Sequence, residues 1–317
     1  MEAKNIITVG ISPAWDLICR VNGLRWGEHK KILSQELVAA GKAFNISRAL
    51  AWLGVKNIAA GLWGLDDYQQ MLDSARQISD FIDIRFTKAT GKTRRNLTVF
   101  DTSAHREIHL RDESKLASKQ SLKQLAADLK EIVTQQSIVV FAGSLPDDGE
   151  LLDDCLAVIA CVRDSGAEIV FDTSGKSLRK IVHSGGICLL KPNVGELSQL
   201  LGQTIEDDPS SIVNAGRKLC KKVRMVLVSR AAKGAVVITP EYAFQGKIKG
   251  GKRKIFSTVG CGDYLLAGFL AGLTDTENIG AALAKAIKVA SARAYRITEK
   301  MTWPDAESQI DVEVRSL

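Results

Sequence analysis

The sequence predicts an α/β protein, with a doubly wound, mainly parallel sheet, helices on both faces and a small antiparallel β lid. Three observations carry that expectation. Continuous apolar runs recur at Ile6 to Ile11, Ser137 to Ala142, Glu168 to Phe171, Ile187 to Leu190 and Met225 to Val228, as strands buried on both faces require. Segments of helical spacing lie between them, at Ser118 to Val133, Leu151 to Arg163, Val194 to Leu201 and Ile212 to Lys222, and such alternation builds a parallel sheet wrapped by helices. Two stretches break the pattern by alternating apolar and polar residues, as half-exposed antiparallel strands do. These are Asp16 to Val38, about the turn Gly27-Glu28-His29-Lys30, and Arg95 to Leu110, about Asp101-Thr102-Ser103-Ala104.

The 317 residues read as one domain, with lid insertions at about 14–38 and 93–111 and no repeat, low-complexity tract or flexible linker. With 45% hydrophobic and 25% charged residues, the chain has the composition of a soluble globular protein. No apolar run approaches the ~18 residues of a membrane span, and Met1 to Asn5 lack a signal-peptide pattern. A cytoplasmic protein is expected. Six scattered cysteines without a CxxC pair fit reduced thiols better than disulfides or zinc, and the four histidines are too dispersed for a metal cluster. The net charge of +7 comes from dispersed basic residues with few aromatics, so nucleic acid is not an expected partner. Anionic small molecules suit that charge equally well.

In such sheets ligands bind beyond the carboxyl ends of the strands, and the residues there are polar or small: Ser12 and Asp16, Gly143 and Ser144, Asp172, Lys191 and Asn193, and Ser229. Three further groups point the same way. Ala40-Gly41-Lys42-Ala43-Phe44-Asn45 opens a helix expected over Asn45 to Leu53, whose free N–H groups and Lys42 suit an anionic or hydroxyl-rich ligand. Lys92-Thr93-Arg94-Arg95-Asn96 offers a guanidinium fork for phosphate, or is simply a solvated loop. The run Lys247 to Lys254 is the densest basic cluster, a solvated loop or a nucleotide contact.

The most informative stretch is STVGCGDYLLAGFLAGL, Ser257 to Leu273. A β-type run, Lys254 to Thr258, enters a turn with Gly260 and Gly262, and Asp263 opens an apolar helical run. Glycines and the unpaired amides of a helix start make an anion site, and a carboxylate beside it suits phosphoryl transfer to a hydroxyl. The alternative is an ordinary core helix with Asp263 as its N-cap. A dinucleotide fingerprint is excluded by Leu265, and a Walker A loop at Gly175-Lys176-Ser177 by Val170. Cys261, near a helix N-terminus and behind a basic run, is expected to have a lowered thiol pKa unless its sulfur turns into the core.

Taken in order, SPAWD (12–16), AGKAFN (40–45), TRRN (93–96), GSLP (143–146), DTSGKSL (172–178), KPNVGEL (191–197), VSRAAKG (228–234) and TVGCGD (258–263) resemble the ribokinase-like sugar kinases of the phosphofructokinase B family. The resemblance runs from the first strand to the last helix, and is strongest to the branch of 1-phosphofructokinase and tagatose-6-phosphate kinase. It implies an ATP-dependent phosphotransferase acting on a phosphorylated ketohexose. Asp263 would be the base, with Gly260, Cys261 and Gly262 as the anion hole. Asp16, Gly41 and Asn45 would hold sugar hydroxyls, and Arg94, Lys42, Lys31 and Ser144 the sugar's phosphate. Lys191, Asn193, Ser229 and Gly234 would line the nucleotide site, while Asn193 and Glu196 would organise magnesium through waters. A homodimer through the lid is a further expected partner.

The chain departs from the family pattern at Ala40 and Ala43, which replace glycines of the sugar loop, at Ala231, and at Tyr264, where a small residue is usual. The added methyls are expected to narrow the pocket and alter the substrate or its pose. Two alternatives stand beside the leading reading. One is a kinase for an unphosphorylated sugar or nucleoside, which would make Arg94 and Lys42 incidental. The other is a non-catalytic sugar-phosphate sensor, against which the retained Asp263, Gly260, Gly262 and Glu196 argue.

Overall fold

The computed structural model describes residues 4–76, 80–147, 149–250, 253–276 and 278–317. In chain order the first strands are β1 (Asn5–Gly10), β2 (Ala14–Val21), β3 (Ser34–Ala40), β4 (Asn57–Gly64), β5 (Ile82–Ala89), β6 (Arg95–Asp101) and β7 (Arg106–Leu110). The remainder are β8 (Ser137–Ala142), β9 (Glu168–Asp172), β10 (Ile187–Leu190), β11 (Val223–Ser229), β12 (Ala235–Ile238), β13 (Ala243–Ile248) and β14 (Val312–Ser316). The helices are α1 (Lys42–Trp52), α2 (Tyr68–Arg76), α3 (Lys119–Ile132), α4 (Gly149–Asp164), α5 (Lys176–Ser184), α6 (Val194–Leu201), α7 (Pro209–Leu219), α8 (Cys261–Asp275), α9 (Ile279–Ala294) and α10 (Trp303–Glu307).

Ten strands form the main sheet in the order β14-β13-β12-β11-β10-β9-β8-β1-β4-β5. From β5 to β11 every pairing is parallel, and β12, β13 and β14 extend the sheet antiparallel. The alternation of side chains along the strands divides the core between the two faces. Ile7, Val9, Val139 and Phe141 pack with α3 to α7 on one face, while Ile6, Ile138 and Val140 pack with α1, α8 and α9 on the other. Both layers exclude water from continuous apolar surface, the main source of stability in such a fold.

The lid is a separate four-stranded sheet, β3-β2-β6-β7. Each hairpin is antiparallel as the patterning required, and the two join through a parallel β2–β6 pairing. The second strand of the first hairpin is shorter than expected. It begins at Ser34, four residues beyond the turn residue Lys30, whose ammonium is held by Glu28 at 2.6 Å. The run entering α8 also differs from expectation. Residues 253–258 form no strand, and the Phe256 amide instead donates to the Ala294 carbonyl at 2.9 Å. Gly251 and Lys252 of the basic run lie outside the described residues. All six cysteines are free, and among the described residues no helix is long and apolar enough to cross a membrane.

Candidate active site

The carboxyl ends of β1, β8, β9, β10 and β11 face the lid across a cleft of about 540 Å³. Of the residues singled out from the sequence, Asp16, Gly41, Lys42, Asn45, Arg94, Ser144, Lys191, Asn193, Glu196, Ser229, Gly260, Gly262 and Asp263 all line it. Cys261 and Gly234 line an adjoining, mostly apolar pocket of about 400 Å³, which shares Asn193, Ser229 and Gly262 with the cleft. Gly234 is required there. Its φ is +86°, and a Cβ would stand 2.0 Å from the Gly246 carbonyl oxygen. Lys31 lines neither cavity. It is exposed in the segment between β2 and β3, so the structure does not bring it to the site.

Gly260 adopts the left-handed conformation (φ 77°) and is the N-cap of α8, which places Asp263 at the third helical position, not at the cap. The Cys261 amide is turned to the Thr258 carbonyl at 3.3 Å, leaving the Gly262 and Asp263 amides without an intrahelical partner. The Asp263 carboxylate is 5% exposed, and its Oδ2 accepts from Asn45 Nδ2 at 2.8 Å. Burial, reinforced by the Asp172 charge, pushes its pKa up to about 6, against the pull of Lys42, Asn45 and Lys191. A carboxyl poised there is matched to proton transfer near neutral pH.

Asp172 was read from the sequence only as a polar strand end, yet it is the hub of the site's charges. Its carboxylate, 1% exposed, takes Lys42 Nζ at 2.9 Å on one oxygen and Lys191 Nζ at 3.2 Å on the other. Burial opposes its ionisation, but Lys191 and Lys42 outweigh burial and hold it below the usual carboxylate range. Burial likewise opposes the Lys42 charge, which Asp172, Asp263 and Glu196 together restore and strengthen. The Lys42–Asp172 pair joins residues 130 apart in the chain, so local motif reading could not find it.

Asp16 is oriented by Asn96, whose Nδ2 donates to Asp16 Oδ1 at 2.9 Å. Arg94 donates to the carbonyls of Pro13, Asp112 and Ser12 at 3.2, 2.7 and 3.1 Å. Burial and the nearby Arg111 charge lower its pKa, partly offset by Asp16 and Asp112. Arg111 also lines the cleft and went unnoticed in the sequence.

Asn193 and Glu196 form a reciprocal capping box on α6. The Glu196 amide donates to Asn193 Oδ1 at 2.8 Å, and the Asn193 amide to Glu196 Oε2 at 2.9 Å. Glu196 Oε1 is left outside the cap. Among the described residues no cluster of three His, Cys, Asp or Glu makes a ready-built metal site. One carboxylate oxygen and an amide on a cleft wall fit a hard cation that keeps most of its waters, as magnesium does.

Two expectations need correction. Ala40 and Ala43 do not line the cleft. Both are buried where β3 passes into α1, Ala43 in the same core as Ile6 and Ile46, and they border only a cavity of about 10 Å³ behind Ser12, Gly41 and Lys42, not the cleft itself. The Cys261 thiol is not activated. Burial raises its pKa to about 11 despite the opposing charge of Arg293, and its Sγ contacts the Ser257 carbonyl at 3.8 Å. Tyr264 is half-buried in a pocket beside the cleft, with Arg293 5.5 Å from its ring centroid.

The profile of the pfkB family carbohydrate kinases matches residues 3–301. The chain is 28% identical to a 1-phosphofructokinase of Haemophilus influenzae over 289 residues, covering 88% of this chain and 89% of that one. It is 26% identical to a tagatose-6-phosphate kinase of Staphylococcus epidermidis, covering 86% and 87%. In fold it is similar to the phosphofructokinase-2 of Escherichia coli solved with fructose 6-phosphate, with a TM-score of 0.87 at 21% identity over 97% of this chain and 98% of that one.

Proposed function

Because the chain belongs to the pfkB family of carbohydrate kinases, we propose that this phosphotransferase moves the γ-phosphate of ATP to a hydroxyl of a phosphorylated ketohexose, in the cytoplasm. The observation that carries the reading is the buried Asp263, hydrogen-bonded to Asn45 and set among two lysines at a helix N-terminus. Asp263 takes the proton of the acceptor hydroxyl as that oxygen bonds to the γ-phosphorus, and the bridging oxygen leaves with ADP. The Gly262 and Asp263 amides and Lys42 stabilise the charge on the phosphoryl group in flight. This reassigns Lys42 from the sugar's own phosphate to the transferred one, in keeping with its contact to Asp172. Magnesium held through Asn193 and Glu196 would neutralise the nucleotide phosphates. The apolar pocket beside Gly234 takes the base, and Asp16, Gly41 and Asn45 the sugar hydroxyls. Arg94, Arg111 and Ser144 meet the sugar's phosphate.

One observation favours a kinase for an unphosphorylated sugar or nucleoside: Arg94 already donates to three carbonyls. Calorimetric binding separates the two readings. Tagatose 6-phosphate or fructose 1-phosphate is expected to bind at least about tenfold tighter than tagatose or fructose, the scale of one charge-assisted hydrogen bond. Equal affinities favour the alternative.

The Asp263 environment also sets a pH dependence. The base works only when ionised, so kcat/KM is expected to rise with pH through about 6 and to fall below it. Asp263→Asn removes this limb but not the titration of ligand phosphates, so comparing the two profiles isolates the carboxylate. Identical profile shapes between about pH 5 and 8 would contradict the assignment.

The lid exposes Leu24, Ile32, Leu33 and Trp26, the last 95% exposed. Such a patch supports a homodimer formed through the lid. A monomeric mass by light scattering at micromolar concentration would exclude it.

A further inference from the structure

We propose that Asp67 is a positioning residue for the acceptor site, fixing Asp16 and Arg94 by holding the residue next to each. The proposal rests on the reading of Asp16 and Arg94 as acceptor-binding residues. Asp67 closes the turn Leu65–Asp67 after β4 and is 9% exposed, yet it does not line the cleft. Trp15 Nε1 donates to its Oδ2 at 2.9 Å. The Thr93 amide donates to Oδ2 at 3.1 Å and to Oδ1 at 3.3 Å, and the Thr93 hydroxyl to Oδ1 at 3.0 Å. That hydroxyl in turn accepts from the Gly64 amide at 2.9 Å.

Trp15 immediately precedes Asp16, and Thr93 immediately precedes Arg94. The two segments are also tied to each other, since the Trp15 amide donates to the Arg94 carbonyl at 2.8 Å. From this point β2 and β6 run out together into the lid, with Trp15 opposite Arg95 and Val21 opposite Asp101. Asp67 therefore anchors both lid hairpins where they leave the body. The joint has little slack. The Trp15 ring meets Trp63 edge-on at 5.5 Å, Trp63 packs on Phe44 and Phe86, and a Cβ at position 64 would stand 2.5 Å from the Thr93 nitrogen.

Three donors converge on one side chain, and only an acceptor-only group satisfies them all. An asparagine would turn its NH₂ toward one of these donors, and an apolar replacement would leave all three unpaired. A buried carboxylate is poor value for stability alone, because apolar packing often does as well. What it does supply is direction: Asp16 and Arg94 are held at a fixed separation, and an error of ~1 Å in such a constellation costs up to about 10²-fold.

The test is steady-state kinetics of the full-length protein. The acceptor is whichever of fructose 1-phosphate, fructose 6-phosphate and tagatose 6-phosphate gives the highest wild-type kcat/KM. Asp67→Asn is expected to raise the acceptor KM by about 10- to 100-fold, and Trp15→Phe, which removes only the indole donor, by about tenfold. Both should leave the ATP KM within about twofold. If Asp16→Ala and Arg94→Ala raise the acceptor KM while Asp67→Asn and Trp15→Phe do not, the proposal is overturned and the acceptor-site reading stands. Equal rises in both KM values, or a lowered melting temperature with unchanged KM values, make Asp67 merely structural and also overturn it. Should Asp67→Asn fail to fold, Trp15→Phe decides alone. If Asp16→Ala and Arg94→Ala leave the acceptor KM unchanged, or no acceptor in the panel turns over, that reading falls and the proposal with it.

Discussion

Replacing Asp263 with asparagine is expected to lower kcat by about 10²- to 10⁴-fold, the usual contribution of a positioned general base. The substitution is nearly isosteric and the residue is not the helix cap, so α8 should form as before around Gly260. An amide can still share a hydrogen bond with Asn45, but it cannot take the acceptor's proton. Because the carboxylate is buried and costly to ionise, with Asp172 adding to that cost, the variant should be no less stable than the wild type. A large loss of turnover with unchanged or raised melting temperature and unchanged ATP binding is the expected combination. Activity within a few-fold of wild type would reduce Asp263 to a packing residue.

The second large effect is expected at Arg94. Arg94→Ala should raise the KM for a sugar phosphate by about 10- to 100-fold, corresponding to the ~1.5 to 3 kcal/mol of a charge-assisted hydrogen bond. The ATP KM should change little. Arg94 also ties down the Ser12 and Pro13 carbonyls, so the alanine variant loosens the loop after β1 as well. Arg94→Lys separates the two contributions: it keeps the charge but not the planar fork, and an intermediate KM would assign most of the effect to the fork. Equal effects on both substrates would mean that Arg94 only braces the loop.

The main sheet was legible because its strands are buried on both faces, which leaves an unbroken apolar signature. Ser137–Ala142 and Ile187–Leu190 match expectation to the residue. At Lys254 to Thr258, where β-type composition without an unbroken apolar run suggested a strand, none forms, and the Phe256 amide is instead taken by the Ala294 carbonyl at the end of α9. Strand formation depends on a partner, which propensity alone does not reveal. Residues that line the cleft were legible where a motif sits at a strand end or helix start, as at Asn193 and Asp263. The Lys42–Asp172 ion pair and the Trp15–Asp67 contact were not, because they join residues 130 and 52 apart in sequence. At Cys261 a helix-dipole argument was reversed by burial, which raises the thiol pKa more than the Arg293 charge lowers it. Ala40 and Ala43 misled in a similar way: they belong to a substrate loop in sequence but face the core.

The central claim is phosphoryl transfer from ATP to a ketohexose that already carries a phosphate. ADP release coupled to product identification, across fructose 1-phosphate, fructose 6-phosphate, tagatose 6-phosphate, ribose and nucleosides, tests it most directly. At least one of the three ketohexose phosphates is expected to yield a bisphosphate with stoichiometric ADP, at a kcat/KM well above that of ribose or any nucleoside. ADP release with only the unphosphorylated acceptors, or with none of the panel, would contradict the account.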